Sequence, residues 1–377
     1  MRYYVIAGEA SGDLHAANAM RELKTIDTQA VFGFTGGDLM EEVSGVTPDI
    51  HIRQMAFMGF VDVLKNIRTI RRNFKTVKQA ILKFKPDLLL LVDYPGFNLR
   101  MAKWAAENGI RVDYYISPTV WAWKENRVET IKKYVHHMFV ILPFEEAFYA
   151  KHNMKVYFVG HPLIDAIAQK KQTFIAKDEF IRQNALSQKP IIAVLPGSRV
   201  QEIERMLDSM VEVIPHFPDY QFVFAGSTNL PHAYYEKLKA QKIAVVFNQT
   251  YELMAYAHAG IIKSGTSTLE SALFNLPQVV CYKGGNLSFE IGKRLVNVKY
   301  IGLPNLIMDK PVVKELVQYD FTVNNIIAEL QALIHNATYR KTIQNNYQDL
   351  HGQLGGEGAS RRIAEFLKKD AHGADEK

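Results

Sequence analysis

The chain has 377 residues, and a hydrophobic fraction of 48% is enough to fill the cores of two globular domains. It holds no run of eighteen apolar residues to cross a bilayer, and its single cysteine, Cys281, excludes an internal disulfide and a cysteine-rich metal site. A net charge of +6 suits an anionic substrate, an anionic lipid surface or nucleic acid.

The N-terminus opens on a strand-length apolar piece without a basic flank, so no signal peptide is expected, and a reducing cytoplasm is the expected compartment. Apolar runs then alternate with amphipathic stretches, the pattern of parallel sheets wrapped by helices. Strands are predicted at 3–7, 31–35, 88–92, 112–116 and 137–141. Residues 163–189 are charged, glutamine-rich and strandless. A second series follows at 191–195, 221–225, 244–247, 259–262 and 278–282. The fold expected is therefore α/β: two doubly wound, Rossmann-like domains, 1–165 and 166–377, facing across a cleft. The terminal helix of the second packs back on the first domain or on a partner subunit. Ligands of such sheets sit beyond the carboxyl ends of the strands, so those turns are the ones to examine.

After the first strand comes Gly8-Glu9-Ala10-Ser11-Gly12-Asp13. Its glycines allow close approach, Ser11 and Asp13 are positioned to cap a helix starting at Leu14, and Glu9 and Asp13 offer two carboxylates. The glycine spacing fits neither a Walker loop nor a dinucleotide fingerprint, and two acids suit a hydroxylated ligand better than a bare phosphate. The run 55–61 supplies Met55, Phe57, Met58 and Phe60. Residues 66–85 follow with Arg68, Arg71, Arg72, Lys75, Lys78, Lys83 and Lys85 and no acid. Ile67, Ile70, Phe74, Val77 and Ile81 share one face of that predicted helix, mainly as a core stripe, and leave the cations to meet an anionic membrane surface.

The strand 88–92 is wholly apolar and delivers Asp93 to the sheet edge, where a desolvated carboxylate can serve as general base for a sugar hydroxyl. After the next strand come Ser117, Trp121 and Trp123, an apolar wall or a sugar platform. In the second series Gly197-Ser198-Arg199 puts a flexible glycine, a hydroxyl and a guanidinium fork at a strand-to-helix turn. Ser264-Gly265-Thr266-Ser267 opens another helix whose free amides favour phosphate oxygens, and Glu270 stands one turn on, placed to accept ribose hydroxyls. Two such turns at one sheet edge indicate a nucleotide diphosphate site. Adjacent His136 and His137 are expected on opposite faces of a strand, so no metal and no cofactor is expected.

These segments together resemble the lipid A disaccharide synthase family. The matching pieces are Ala7–Asp13, Met58–Leu64, Ser117–Trp123, Leu142-Pro143-Phe144-Glu145, Phe158–Pro162, Leu195–Arg199, Ser264-Gly265-Thr266 with Leu269-Glu270, and Leu303-Pro304-Asn305-Leu306, in the family's order over nearly the whole chain. Thr119 and Ala10 replace residues common in the family, and Tyr94-Pro95-Gly96 follows Asp93; none of these removes a group that the chemistry needs. The resemblance implies a glycosyltransferase of the GT-B type. It would transfer the sugar of UDP-2,3-diacylglucosamine, with inversion, to the 6-hydroxyl of 2,3-diacylglucosamine 1-phosphate, bound peripherally at the inner face of the inner membrane. Asp93 is the candidate base, with Glu9 and Asp13 as rivals. Gly197, Ser198, Arg199, Ser264, Gly265, Thr266, Ser267, Glu270 and Asn305 are the donor set, and Ser11, Gly12, Ser117, Trp121 and Trp123 the acceptor set. Lys124, Arg127, Lys293 and Arg294 compete for the acceptor phosphate. A homodimer is compatible with this reading. The nearest rivals share the fold: the glycosyltransferase that adds N-acetylglucosamine to a lipid-linked peptidoglycan precursor, and a UDP-N-acetylglucosamine 2-epimerase, which would need no greasy surface. A nucleic-acid module would show a motif, and a lipid-transfer protein would not need Asp93, Arg199 and Glu270.

Overall fold

The computed structural model of the chain describes residues 1–55, 66–228, 230–286, 289–290 and 298–373. It divides into two compact units, Met1–Ala168 with Leu354–Lys377, and Gln169–Gln353.

Among the described residues the first unit holds a parallel six-stranded sheet: β1 (Arg2–Ala7), β2 (Val31–Thr35), β3 (Leu88–Val92), β4 (Val112–Tyr115), β5 (His137–Val140) and β6 (Tyr157–Phe158), in the order β2-β1-β3-β4-β5-β6. Side chains alternate between two separate cores. Tyr4, Ile6, Leu89 and Leu91 pack on one face with Val77 and Ile81, while Tyr3, Val5, Leu88 and Leu90 pack on the other with Ala16, Met20 and Leu23. A strand buried on both faces favours apolar residues at every position, which accounts for the unbroken Leu88–Val92 run. The sequence expectation carried β4 through Ile116. That residue turns to φ +65°, outside strand geometry, and the ladder stops at Tyr115.

The second unit repeats the plan with β7 (Ile191–Leu195), β8 (Gln221–Gly226), β9 (Ala244–Phe247), β10 (Ala259–Lys263), β11 (Gln278–Tyr282) and β12 (Glu315–Val317), in the order β12-β11-β10-β7-β8-β9. The short edge strands β6 and β12 are absent from the sequence prediction; two or three residues carry no readable periodicity.

The boundary falls after Ala168 instead of residue 165, and of the two places expected for the terminal helix it takes the first unit. The last helix, Ala359–Gly373, lies on the helix Ala10–Ile26 of the first unit, with Ile363, Ala364 and Leu367 fully buried in the same core as Ala16 and Met20. Asp165 accepts hydrogen bonds from the amides of Gly358 (2.6 Å) and Ser360 (2.9 Å) and so caps that helix, and Lys368 pairs with buried Asp27 at 3.1 Å.

Each sheet has one point where the strand order reverses. In the first unit β1 runs out to β2 and the chain then returns to β3 on the other side, so the switch lies between β1 and β3. In the second, β10 returns beside β7. A crevice opens beyond the carboxyl ends at such a point.

Candidate functional site

The β1/β3 switch point is where Glu9 and Asp93 emerge. Asp93 and Tyr94 both take left-handed backbone, φ +46° and +49°, a conformation that costs on the order of 1 kcal/mol or more for a non-glycine residue and is tolerated where surrounding bonds enforce it. Here buried Asn98 enforces it, its amide nitrogen donating to the carbonyls of Asp93 (2.8 Å) and Val92 (3.1 Å). The Tyr94 hydroxyl donates to the Met55 carbonyl at 2.7 Å, and its ring lies so close to Gly8 that a Cβ there would fall 2.2 Å from it. The turn thus holds the Asp93 carboxyl half-buried. Burial first, and then the negative field of Glu9, push its pKa up to about 6, against a smaller lowering by the Tyr94 amide.

Asp13 plays a different part from the one its position suggested. The helix begins at Ala10 rather than Leu14, so Ser11 and Asp13 lie inside it and neither caps it. The Asp13 carboxylate, 3% exposed, instead accepts from the amides of Gly37 (2.7 Å), Leu39 (3.1 Å) and Met40 (3.3 Å) and caps the helix Asp38–Ser44. Ser11 is exposed at the helix start, and Gly12 is buried against Ala7 and the β3 end.

The ends of β4 and β5 bring together a group that sequence reasoning did not single out. Glu145 is 1% exposed and accepts from the amides of Ile141 (3.2 Å) and Leu142 (2.9 Å). Burial lifts its pKa to about 7 despite those amides and the neighbouring Trp121 and Ser117 side chains. The Ser117 and Tyr149 hydroxyls are 2.7 Å apart, and Trp121 stands edge-on to Phe144 with centroids 5.0 Å apart. Of the two tryptophans, Trp121 is therefore packed, whereas Trp123 is 42% exposed with the Lys124 ammonium 4.3 Å from its ring centroid.

The β7/β10 switch point of the second unit opens into a cavity of about 390 Å³ lined by Gly197, Ser198, Arg199, Gly265, Thr266, Ser267 and Glu270, and also by Glu202 and Lys263. Gly197 adopts φ +110°, which no L side chain takes without strain. The helix Thr266–Leu273 starts at this rim, leaving its first amides without intrahelical partners. Glu270 accepts from the Tyr251 hydroxyl at 2.9 Å, and burial raises its pKa against the lowering effect of that bond. Two residues of the expected donor set stand elsewhere. The Ser264 hydroxyl donates to the Ile301 carbonyl at 2.8 Å, away from the lining. Asn305, 1% exposed, spends its side chain on Val313 N, Val313 O and Glu315, each at 2.8 Å, and so braces a loop instead of meeting the cavity.

Of the expected membrane contacts, Met55 is corrected: it is 1% exposed and belongs to the core under β1 and β3. Phe57, Met58 and Phe60 lie outside the described residues, as do Lys293 and Arg294. The helix Ile67–Phe84 buries Asn73, Val77 and Ile81 and leaves Arg68, Arg71, Arg72 and Lys75 in solvent; Ile67, expected in the core stripe, is exposed as well. His136 and His137 do not point apart. Their ring nitrogens come within 4.8 Å of each other and of the Asp370 carboxylate, since His136 precedes β5 and escapes its alternation. The Arg111 guanidinium is hydrogen-bonded to both Asp370 and His137, which puts a fixed cation at that spot.

Residues 3–369 match the family model described as lipid-A-disaccharide synthetase. The chain belongs to the lipid-A-disaccharide synthase family. It is 39% identical over 368 residues to the lipid-A-disaccharide synthase of Coxiella burnetii (strain CbuG_Q212), covering 96% of each chain. It is 37% identical over 371 residues to that of Geobacter sulfurreducens, covering 96% of this chain and 95% of the other. The protein is thus a UDP-sugar glycosyltransferase of lipid A biosynthesis. Its fold is shared with UDP-GlcNAc 2-epimerases. The Neisseria meningitidis enzyme, solved bound to UDP-GlcNAc, superposes with a TM-score of 0.70 at 17% identity, over 98% of this chain and 100% of that one. The Methanocaldococcus jannaschii enzyme, solved with UDP-GlcNAc and UDP, gives 0.68 at 15% identity over the same shares. Among the described residues no helix is long and apolar enough to cross a membrane.

Proposed function

We propose that the protein condenses UDP-2,3-diacylglucosamine with 2,3-diacylglucosamine 1-phosphate, with inversion, giving the β-1,6-linked tetraacyl disaccharide 1-phosphate and UDP. Asp93 carries this reading: a carboxyl with a pKa near 6, held by an enforced turn at the β1/β3 switch point. Near neutral pH it is ionised yet basic enough to take the proton of the acceptor 6-hydroxyl as that oxygen bonds to the anomeric carbon and the bond to the UDP oxygen breaks. Asp13, bonded to three amides, is left a structural part, and Glu9 acts through its field on Asp93.

In the second unit the cavity takes the donor. Arg199 and the amides opening the helix Thr266–Leu273 stabilise the leaving diphosphate, and Glu270, steadied by Tyr251, accepts the ribose hydroxyls. The guanidinium and the amides supply the charge that a divalent ion would otherwise bring, so activity is expected to survive a chelator. The exposed cations of the helix Ile67–Phe84 dock the enzyme on the anionic cytoplasmic face of the inner membrane. Incubating the protein with both substrates and determining the product linkage by NMR tests the reading. A β-1,6 disaccharide supports it; an α linkage, or no disaccharide, refutes it.

A further inference from the structure

The cavity of the second unit already holds an anion of the protein's own. Glu202 sits in the first turn of the helix Val200–Glu212 and folds its carboxylate back over the β7 end. Oε2 accepts from the Ser198 amide at 3.3 Å, while Oε1 lies 2.6 Å from Lys263 Nζ at the β10 end and 3.9 Å from Arg199 Nη1. A Cβ on Gly197 would fall 2.4 Å from Oε2, so the carboxylate rests directly on the glycine backbone. Glu202 and Lys263 are only 16% and 17% exposed.

A backbone amide at a helix start, an ammonium and a guanidinium converging on oxygen form the donor set that holds a phosphate group. A helix-capping role alone does not account for the geometry. A capping-box glutamate reaches back to the amide of the N-cap residue, here Arg199, whereas Glu202 reaches past it to Ser198 and across to a second strand.

We propose that Lys263 is a ligand of the donor diphosphate and that Glu202 is an internal competitor, its carboxylate filling the diphosphate cradle until the nucleotide displaces it. This rests on the donor-site reading above and adds residues to that site. The exchange has a physical logic: the Lys263 ammonium, only 17% exposed, would be costly to leave unpaired, and swapping one anion for another spares that cost in the empty site. It also sets a specificity. A nucleoside without phosphates has nothing to offer Lys263 and leaves Glu202 in place, whereas a diphosphate competes for the cradle.

The test measures UDP binding by calorimetry, and uridine binding by saturation-transfer NMR, on the full chain and on Glu202→Gln and Lys263→Met. Glutamine keeps the shape and can still accept from Ser198 but carries no charge. Glu202→Gln should bind UDP about 5–10-fold tighter, since the competing charge is gone, and a gain of affinity cannot come from misfolding. Lys263→Met should bind UDP about tenfold more weakly, with uridine unchanged in both variants. If the parent binds UDP but Glu202→Gln binds it equally or more weakly, the competitor role is overturned and the donor site stands. If Lys263→Met weakens uridine as much as UDP, Lys263 is no phosphate ligand. A parent chain that binds no UDP refutes the donor-site reading itself, and this inference with it.

Discussion

Replacing Asp93 by asparagine exchanges one carboxylate oxygen for an amide nitrogen at nearly constant volume, and asparagine accepts the left-handed backbone of φ +46° at least as readily. Two opposite effects follow. The carboxyl pKa rises from 3.8 unfolded to about 6 folded, roughly two units at about 1.4 kcal/mol each. Because the folded value is the higher one, the parent is favoured below about pH 4, loses stability between pH 4 and 6, and bears the full ionisation cost above pH 6. Allowing for the solvent that still reaches the half-buried group, Asp93→Asn should be about 1–3 kcal/mol more stable than the parent at pH 8 and show no such advantage at pH 4. Turnover should fall roughly 10²–10⁴-fold, with little change in UDP affinity. The parent's activity should also climb with pH through about 6 as the base loses its proton. Denaturant melts at pH 4 and pH 8, paired with a UDP-release assay, read both effects. Near-normal turnover would move the base to Glu9; equal stability at pH 8 would mean that Asp93 is not held desolvated.

Glu270→Ala should weaken UDP binding by about 1–3 kcal/mol, because a charge-assisted pair of hydrogen bonds to the ribose is lost; unchanged calorimetric affinity in a folded variant would remove Glu270 from the site. Glu145→Gln should gain stability on the parent by roughly 1–3 kcal/mol as pH rises from 5 past about 7, where the parent carboxyl must ionise in the core, and a pH-independent difference would contradict the burial argument. Replacing Arg71, Arg72 and Lys75 by glutamine should reduce sedimentation with anionic vesicles, most at low salt, and equal sedimentation would place docking elsewhere.

Much of the fold was legible because strands buried on both faces leave an unmistakable signature: Leu88–Val92 could hardly be anything else. The last helix was expected to pack back on the first domain or on a partner subunit, and only the burial of Ile363, Ala364 and Leu367 shows which core receives it. Met55 shows the same ambiguity from the other side, since an apolar residue beside a basic helix reads as greasy surface until its burial is seen. Asp13 and Asn305 were placed near strand ends or within a family motif, and only the three-dimensional hydrogen bonds reveal that both brace neighbouring backbone. Glu145, Glu202 and Lys263 were visible as letters. What their positions could not disclose is the burial of the first and the 2.6 Å pairing of the other two, both products of packing between segments distant in sequence.

The most direct measurement is the acceptor dependence of UDP release. With purified protein and UDP-2,3-diacylglucosamine, UDP should appear only when 2,3-diacylglucosamine 1-phosphate is added, and in equal amount to the disaccharide formed. UDP released at the same rate without acceptor, or a donor epimerised at C2 with no disaccharide, would contradict the account.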